Sequence, residues 1–370
     1  MKMSWYLGLL KGILQVRALG RPVPLMTHWE ITYRCNLNCT FCGSRLDPNA
    51  WGKETSTGQA KRIIDQLAEL GTRVLNFVGG EPTLRSDLGD LLAHARSRGL
   101  RVAVTTNGVM DDQRRSMLLE ADVLRVSLEG APELNRELRR APPGVDGMAE
   151  AIRTLEFLVA HNRRPAIGTT YSRRTRDADM DYLASLCRRL GIRMSIVPVD
   201  GYSFGDKRGG FDLEDARERQ GKLDHLQFPL SESMARIQAV RARHRDVVTS
   251  GEPSWSVLRA GGLEKVGCLA MNTALSIKPN GDVALPCIEF PHRTVSSDDL
   301  RAAFYGPEAQ EARRRQGTYW FCSNCQLFCM VYASSLVRLG PLLNVAREFV
   351  PQVLPQWAQT RPAGVAGDQA

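Results

Sequence analysis

The sequence predicts an α/β chain: a parallel sheet of six strands curved into a partial barrel, with helices outside it and a smaller cysteine-rich domain after it. Three observations predict this. Short apolar segments rich in β-branched residues recur between residues 28 and 199, and amphipathic helical stretches fill the gaps between them. Eight of the nine cysteines fall into two groups, one at each end of this core. Buried parallel strands read as near-continuous apolar runs, and strand–helix alternation implies a parallel sheet covered by helices. The 370 residues suffice for one large domain and a smaller one, and 43% hydrophobic with 24% charged residues is ordinary globular composition.

The strand segments are 28–34, 73–78, 101–105, 123–128, 165–171 and 192–199. Helical stretches lie between them. Residues 57–70 place Ile63, Ile64, Leu67 and Leu70 on one face. Residues 86–98 have Ser86 as N-cap and Gly99 as stop; 111–119, 145–160 and 178–190 follow, the last ended by Gly191. Cys187 stands alone in this last stretch and reads as a small buried apolar residue.

Residues 1–27 read as an amphipathic N-terminal helix. Lys11 and Arg17 interrupt its apolar run, which is too short to span a membrane, and no cleavage site follows. Such a helix packs on the body or lies on a membrane surface. Residues 28–200 form the barrel, and 201–260 a linker and helical lid rich in Gly, Asp, Arg and Lys. Residues 261–335 hold the second cysteine group, and 336–370 an apolar C-terminal segment with a disordered tail. The net charge of +9 is spread over short clusters such as Arg139–Arg140 and Arg313–Arg315. These read as solvated surface, with no nucleic-acid patch.

Cys35, Cys39 and Cys42 form CxxxCxxC directly after the first strand, at the sheet end where barrels place active sites. Three thiolates hold three irons of a [4Fe–4S] cluster and leave one iron open for catalysis; zinc, or a cluster completed from elsewhere, is the alternative. Gly79-Gly80-Glu81-Pro82 follows the second strand. Its glycines let a backbone approach a ligand, and the Glu81 carboxylate can receive an ammonium group.

Together these motifs resemble the radical S-adenosylmethionine (AdoMet) superfamily. The resemblance implies a TIM-like partial (β/α)6 barrel and AdoMet chelated by the open iron. It implies that Phe41 lies near adenine, that Gly79, Gly80, Glu81 and Pro82 hold the methionine ammonium, and that Val199 supports adenine. Thr105-Thr106-Asn107-Gly108 and Val126-Ser127-Leu128-Glu129-Gly130 resemble segments whose polar residues, here Asn107 and Ser127, touch ribose and carboxylate. Glu129 departs from the more usual Asp.

The second group is Cys268, Cys287, Cys322, Cys325 and Cys329. An Asn280-Gly281 turn predicts a hairpin that returns Cys287 toward Cys268. Four ligands make a closed cluster or a zinc site. This part is similar to the SPASM/twitch extension; five cysteines fit the shorter form with one auxiliary [4Fe–4S] cluster, with Cys329 as a replacement ligand or a spare thiol.

The resemblance implies reductive cleavage of AdoMet and removal of hydrogen from a substrate C–H bond, followed by oxidation or cross-linking. The cofactors are two [4Fe–4S] clusters and AdoMet, and the electron donor is a flavodoxin or ferredoxin. A peptide is the favoured substrate, with too few residues before the barrel for a leader-recognition domain. A lipid-like or hydrophobic metabolite is the alternative, consistent with a cytoplasmic protein touching a membrane through its first helix. A non-catalytic iron–sulfur module is the reading of another class. No side chain stands out as acid or base.

Overall fold

The computed structural model describes residues 3–42, 53–199, 225–249, 252–287, 291–319, 322 and 325–338. Residues 201–224 of the expected 201–260 linker and lid, and residues 339–370 of the expected C-terminal segment and tail, lie outside these residues.

Six parallel strands follow one another through the sheet: β1 (Met26–Glu30), β2 (Val74–Val78), β3 (Arg101–Thr106), β4 (Val123–Ser127), β5 (Ala166–Tyr171) and β6 (Arg193–Pro198). β7 (Val248–Thr249) adds a short parallel strand beside β6. On the other edge β8 (Ala274–Ile277) runs parallel to β1, and β9 (Val283–Pro286) and β10 (Pro291–Val295) continue antiparallel. The predicted hairpin therefore exists as β8 and β9, and it extends the barrel sheet itself rather than standing in a separate layer. A buried ion pair fastens it there: Lys278 Nζ lies 2.7 Å from Glu30 Oε2, both side chains almost fully enclosed.

The helices are α1 (Met3–Leu19), α2 (Thr57–Leu70), α3 (Leu88–Ser97), α4 (Asp112–Met117), α5 (Pro132–Leu138), α6 (Gly147–Ala160), α7 (Asp177–Leu190) and α8 (Leu230–Arg243). After β7 come α9 (Glu252–Arg259), α10 (Gly262–Val266) and α11 (Ala270–Thr273). Beyond β10 lie α12 (Leu300–Tyr305), α13 (Pro307–Arg315) and α14 (Phe328–Ser335). α2 carries a full capping box from Ser56 and Gln59, and Gly71 closes it in the left-handed conformation. α3 differs from expectation: it starts at Leu88, and Ser86 does not cap it. Asp87 takes the N-cap position, but its carboxylate is occupied by Thr57 Oγ1 at 2.6 Å and Arg85 Nε at 2.7 Å. α5, unexpected from the sequence, begins at Pro132 as a helix can.

The core lies between sheet and helices. Trp29 and Phe77, both fully buried on adjacent strands, pack at 5.9 Å between ring centroids. Cys187 is buried in this core on α7, as read from the sequence. α1 packs Ile13 and Val16 against Val23, Leu25 and Val337, while Leu7, Leu10 and Leu14 stay exposed. Among the described residues no helix is long and apolar enough to cross a membrane.

Candidate active site

The segment after β1 and the loops after β2 to β4 meet at the C-terminal end of the parallel sheet. The segment after β1 carries the three cysteines, Cys35 exposed, Cys39 buried and Cys42 half-buried. Backbone bonds from Asn38 N to Arg140 O (2.7 Å) and from Thr40 N to Leu138 O (2.8 Å) tie it to the end of α5. Each of two thiols has a side-chain N–H beside it: Asn107 Nδ2 lies 3.9 Å from Cys35 Sγ, and Arg139 Nη1 4.0 Å from Cys39 Sγ. Such donors stabilise a thiolate and tune an iron–sulfur centre. Burial pushes the thiols up, to about 11 for Cys35 and about 12 for Cys39, so a bound metal is what would hold them deprotonated. Among the described residues no three metal-ligating side chains already stand at mutual ligating distance. The fit to a cluster therefore rests on the donor set: three thiols in one short loop with N–H groups aimed at sulfur.

The Gly79–Pro82 turn is built around this loop. A Cβ on Gly80 would stand 2.1 Å from Arg34 O, and one on Gly79 2.7 Å from Thr32 O, so only glycine lets the two backbones meet. Gly80 N donates to Thr32 O (3.0 Å) and Glu81 N to Arg34 O (2.7 Å). The glycines thus bring the turn against the cysteine loop's own backbone. Glu81 corrects the sequence reading more directly. Its carboxylate is fully buried and accepts from Thr83 N (3.1 Å), Thr83 Oγ1 (2.7 Å), Thr106 Oγ1 (2.7 Å) and Asn107 N (2.7 Å). Those protein donors take the place expected for a ligand ammonium, and the side chain braces the β2 turn to the β3 turn. Pro82, also buried, opens the short helical turn Pro82–Leu84.

Asn107 likewise faces the loop: its Nδ2 donates to Asn36 Oδ1 at 2.8 Å, and its Oδ1 accepts from Val109 N at 2.8 Å. Ser127 lies buried at the end of β4. Phe41 and Val199 share one small apolar cluster with Leu134, Leu138 and Leu226, so the structure brings together two residues the sequence placed 158 positions apart.

Sequence reasoning missed Arg139. Counted with Arg140 as solvated surface charge, its side chain is instead mostly buried, with Nη2 2.6 Å and Nε 2.8 Å from Glu129 Oε1. Its guanidinium carbon also lies 5.5 Å from the Phe41 ring centre. Glu129 Oε2 accepts from Thr170 N at 2.6 Å. The only sequence signal was position, ten residues after Glu129 and close to the end of a short helix.

The second cysteine group lies at the opposite end of the strands, beside the start of β1. Cys268 precedes the start of β8, which pairs at Ala274 with Met26 at the start of β1, and Cys287 follows the end of antiparallel β9. Strands of five or six residues rise about 3.3 Å per residue, which puts on the order of 15–20 Å of strand between the two ends. Cys268, Cys287, Cys322 and Cys325 line one cavity together with Met271, Pro286, Gln316, Gly317 and Met330. Gly317 comes so close that a Cβ there would be 3.0 Å from Cys268 N. Burial raises Cys322 to about 11 and also pushes Cys268 up. Cys329, on α14, lies outside that lining.

Residues 29–171 match the family model described as the Radical SAM superfamily. An AdoMet-dependent heme synthase of Oleidesulfovibrio alaskensis is 33% identical over 349 residues, 87% of this chain and 88% of that protein. The chain belongs to the radical SAM superfamily. A second relative, the mycofactocin maturase MftC of Mycolicibacterium smegmatis, is 35% identical over 48% of this radical SAM chain and 45% of its own. Among solved structures, Streptococcus suis SuiB bound to precursor peptide SuiA superposes with a TM-score of 0.60 at 19% identity, covering 87% of this chain and 74% of that one. Native anSMEcpe with bound AdoMet gives 0.60 at 14% identity, covering 90% and 100%. At those identities the likeness concerns the fold, a partial TIM-like barrel. The protein is a radical SAM enzyme, and the family uses a [4Fe–4S] cluster and AdoMet.

Proposed function

We propose that this enzyme oxidises a carboxylate-bearing iron porphyrin at an unactivated C–H bond. The observation that carries the reading is coverage: the heme synthase relative aligns with 87% of the chain, whereas the MftC match covers 48%. Cys35, Cys39 and Cys42 would hold the catalytic cluster, and Cys268, Cys287, Cys322 and Cys325 the auxiliary one. When bound, the cluster and AdoMet would supply the radical chemistry for hydrogen abstraction, and the auxiliary cluster would supply an electron acceptor.

The chain's own residues orient and enclose. Gly79, Gly80 and Pro82 offer backbone carbonyls at the sheet end, where a methionine ammonium would bind. Phe41 and Val199 form an apolar wall for adenine. Glu81 and Asn107 hold the two turns against the cysteine loop, and Arg139 neutralises Glu129 beside it. Ser127 faces the same end of the barrel.

A peptide substrate is the second reading, favoured by the match to the mycofactocin maturase MftC. Anaerobic reconstitution with iron, sulfide, a reductant, AdoMet and Fe-coproporphyrin III tests both. Porphyrin-dependent 5′-deoxyadenosine with a changed porphyrin mass supports the first reading; an unchanged porphyrin beside a modified candidate peptide supports the second. No 5′-deoxyadenosine from a cluster-loaded protein with either substrate would overturn both readings. A flavodoxin or ferredoxin is the proposed donor. The exposed Leu7, Leu10 and Leu14 of α1 support a surface contact with membrane, which liposome flotation of the full chain against a Leu7/Leu10/Leu14→Ser variant tests.

A further inference from the structure

Arg125 is a cation built into the barrel interior with no anion beside it among the described residues. On β4 it alternates with Leu124 and Val126, both buried toward the helices, so its side chain points to the other face of the curved sheet. Its strand neighbours are Thr105 on β3 and Ala166 on β5. The side chain then runs over Gly168: a Cβ there would stand 2.4 Å from Arg125 Cδ and 2.7 Å from Cγ. A glycine in mid-strand costs stability and marks a place where something must pass closely. Here what passes is the arginine stem.

The guanidinium has no hydrogen-bond or ion-pair partner among the described residues. Two buried acids at the strand ends, Glu30 and Glu129, are paired elsewhere, with Lys278 and Arg139. What the cation does face is His28, a buried ring whose Nε2 has no partner and which is held neutral, its pKa lowered to about 4 by burial and then by Arg125. Arg125 remains accessible to solvent in the lumen while protein surrounds it closely enough to lower its own pKa by desolvation. A cation so placed, open to the lumen and unpaired among the described residues, is available to an anion that enters it.

We propose that Arg125 is a specificity residue that receives a carboxylate of the substrate inside the barrel. This rests on the reading of the enzyme as an oxidase of carboxylate-bearing substrates. The position fits: mid-strand on β4, between the end carrying Cys35 and the end carrying Cys268 and Cys287. A planar fork of N–H donors suits a carboxylate, which it can take in two parallel hydrogen bonds. Gly168 is the matching device, since it leaves the stem free to lie along β5.

The test uses cluster-loaded protein and three probes: Fe-coproporphyrin III, its methyl ester and free succinate. Affinity is measured by absorbance titration for the porphyrins. Phenylglyoxal labelling of Arg125, read by peptide mass, reports occupancy for all three. The expected result is that Arg125→Gln weakens the porphyrin acid at least tenfold and the ester little, that Arg125→Lys recovers part of the loss, and that the acid protects Arg125 from labelling. Gly168→Val, which displaces the stem and leaves the charge, should weaken the acid in the same sense. If succinate protects Arg125 while neither porphyrin binds, the porphyrin reading falls and the carboxylate site stands. If no carboxylate protects Arg125, or if Arg125→Gln lowers AdoMet affinity as much as porphyrin affinity, the inference is overturned. Iron content and melting temperature of each variant separate these outcomes from misfolding.

Discussion

Acidification should destabilise this protein through one identifiable histidine. His28 sits on β1, 6% exposed, with Nδ1 3.2 Å from Asn76 Nδ2 and no partner for Nε2. Burial, and then the Arg125 charge, lower its pKa from 6.5 to about 4. The folded state therefore binds the proton more weakly than the unfolded chain. The stability this histidine contributes is complete above pH 6.5, declines as the pH falls toward 4, and changes no further below it. Each pH unit between the two values is worth about 1.4 kcal/mol, so the full loss is on the order of 3 kcal/mol, and about 2 kcal/mol of it falls between pH 7.5 and 5. The perturbation is His28→Gln, which keeps a neutral polar group facing Asn76. Anaerobic urea unfolding of cluster-loaded wild type and variant, followed by circular dichroism at both pH values, isolates the term, because acid loss of iron is common to both proteins. Wild type should lose about 2 kcal/mol more than the variant. Equal losses within about 0.5 kcal/mol would refute the assignment of a buried neutral His28 beside a cation.

Three further outcomes are expected. Cys42→Ala should abolish 5′-deoxyadenosine formation, whereas Cys325→Ser should leave AdoMet cleavage, stop product formation and lower bound iron by about four atoms per chain; iron assay and chromatography read these, and equal loss of cleavage in both variants would count against two distinct centres. Glu81→Gln turns an amide N–H₂ toward at least one of four donors and should cost about 2–4 kcal/mol in unfolding free energy, together with weaker AdoMet binding by equilibrium dialysis. Lys278→Met leaves Glu30 buried and alone, a loss of about 3–5 kcal/mol, and the double change Glu30→Gln with Lys278→Met should recover much of it; a double variant no more stable than the single one would show that the pair is not what fastens β8 to β1.

The parts of this site legible in the sequence were those set by neighbours in the chain. The CxxxCxxC spacing, the glycine-rich turn and the Asn280-Gly281 hairpin each declare themselves within about a dozen residues. Helix ends marked by capping chemistry, such as Gly191 after α7, were equally readable. The end of α3 that failed did so because Asp87 spends its carboxylate on Thr57 and Arg85, which the local pattern does not reveal. Arg139 was hidden for a related reason: an arginine reads as surface unless its acid is known, and Glu129 joins it only once β4 and α5 have folded together.

The sequence by itself determined the strand–helix rhythm, the cysteine loop at the head of it and a second cysteine group after a hairpin, because periodicity and turn chemistry are local properties. Only the tertiary structure decided that the hairpin joins β1, through a pair of charges 248 residues apart. It decided too that Gly79 and Gly80 serve the cysteine loop's backbone, that Glu81 is a brace, and that Arg125 lies inside the barrel with no ion-pair partner among the described residues. Parallel strands are buried on both faces, so alternation shows which residues share a face and leaves open which face encloses the lumen; that follows from how the sheet curves and what covers it.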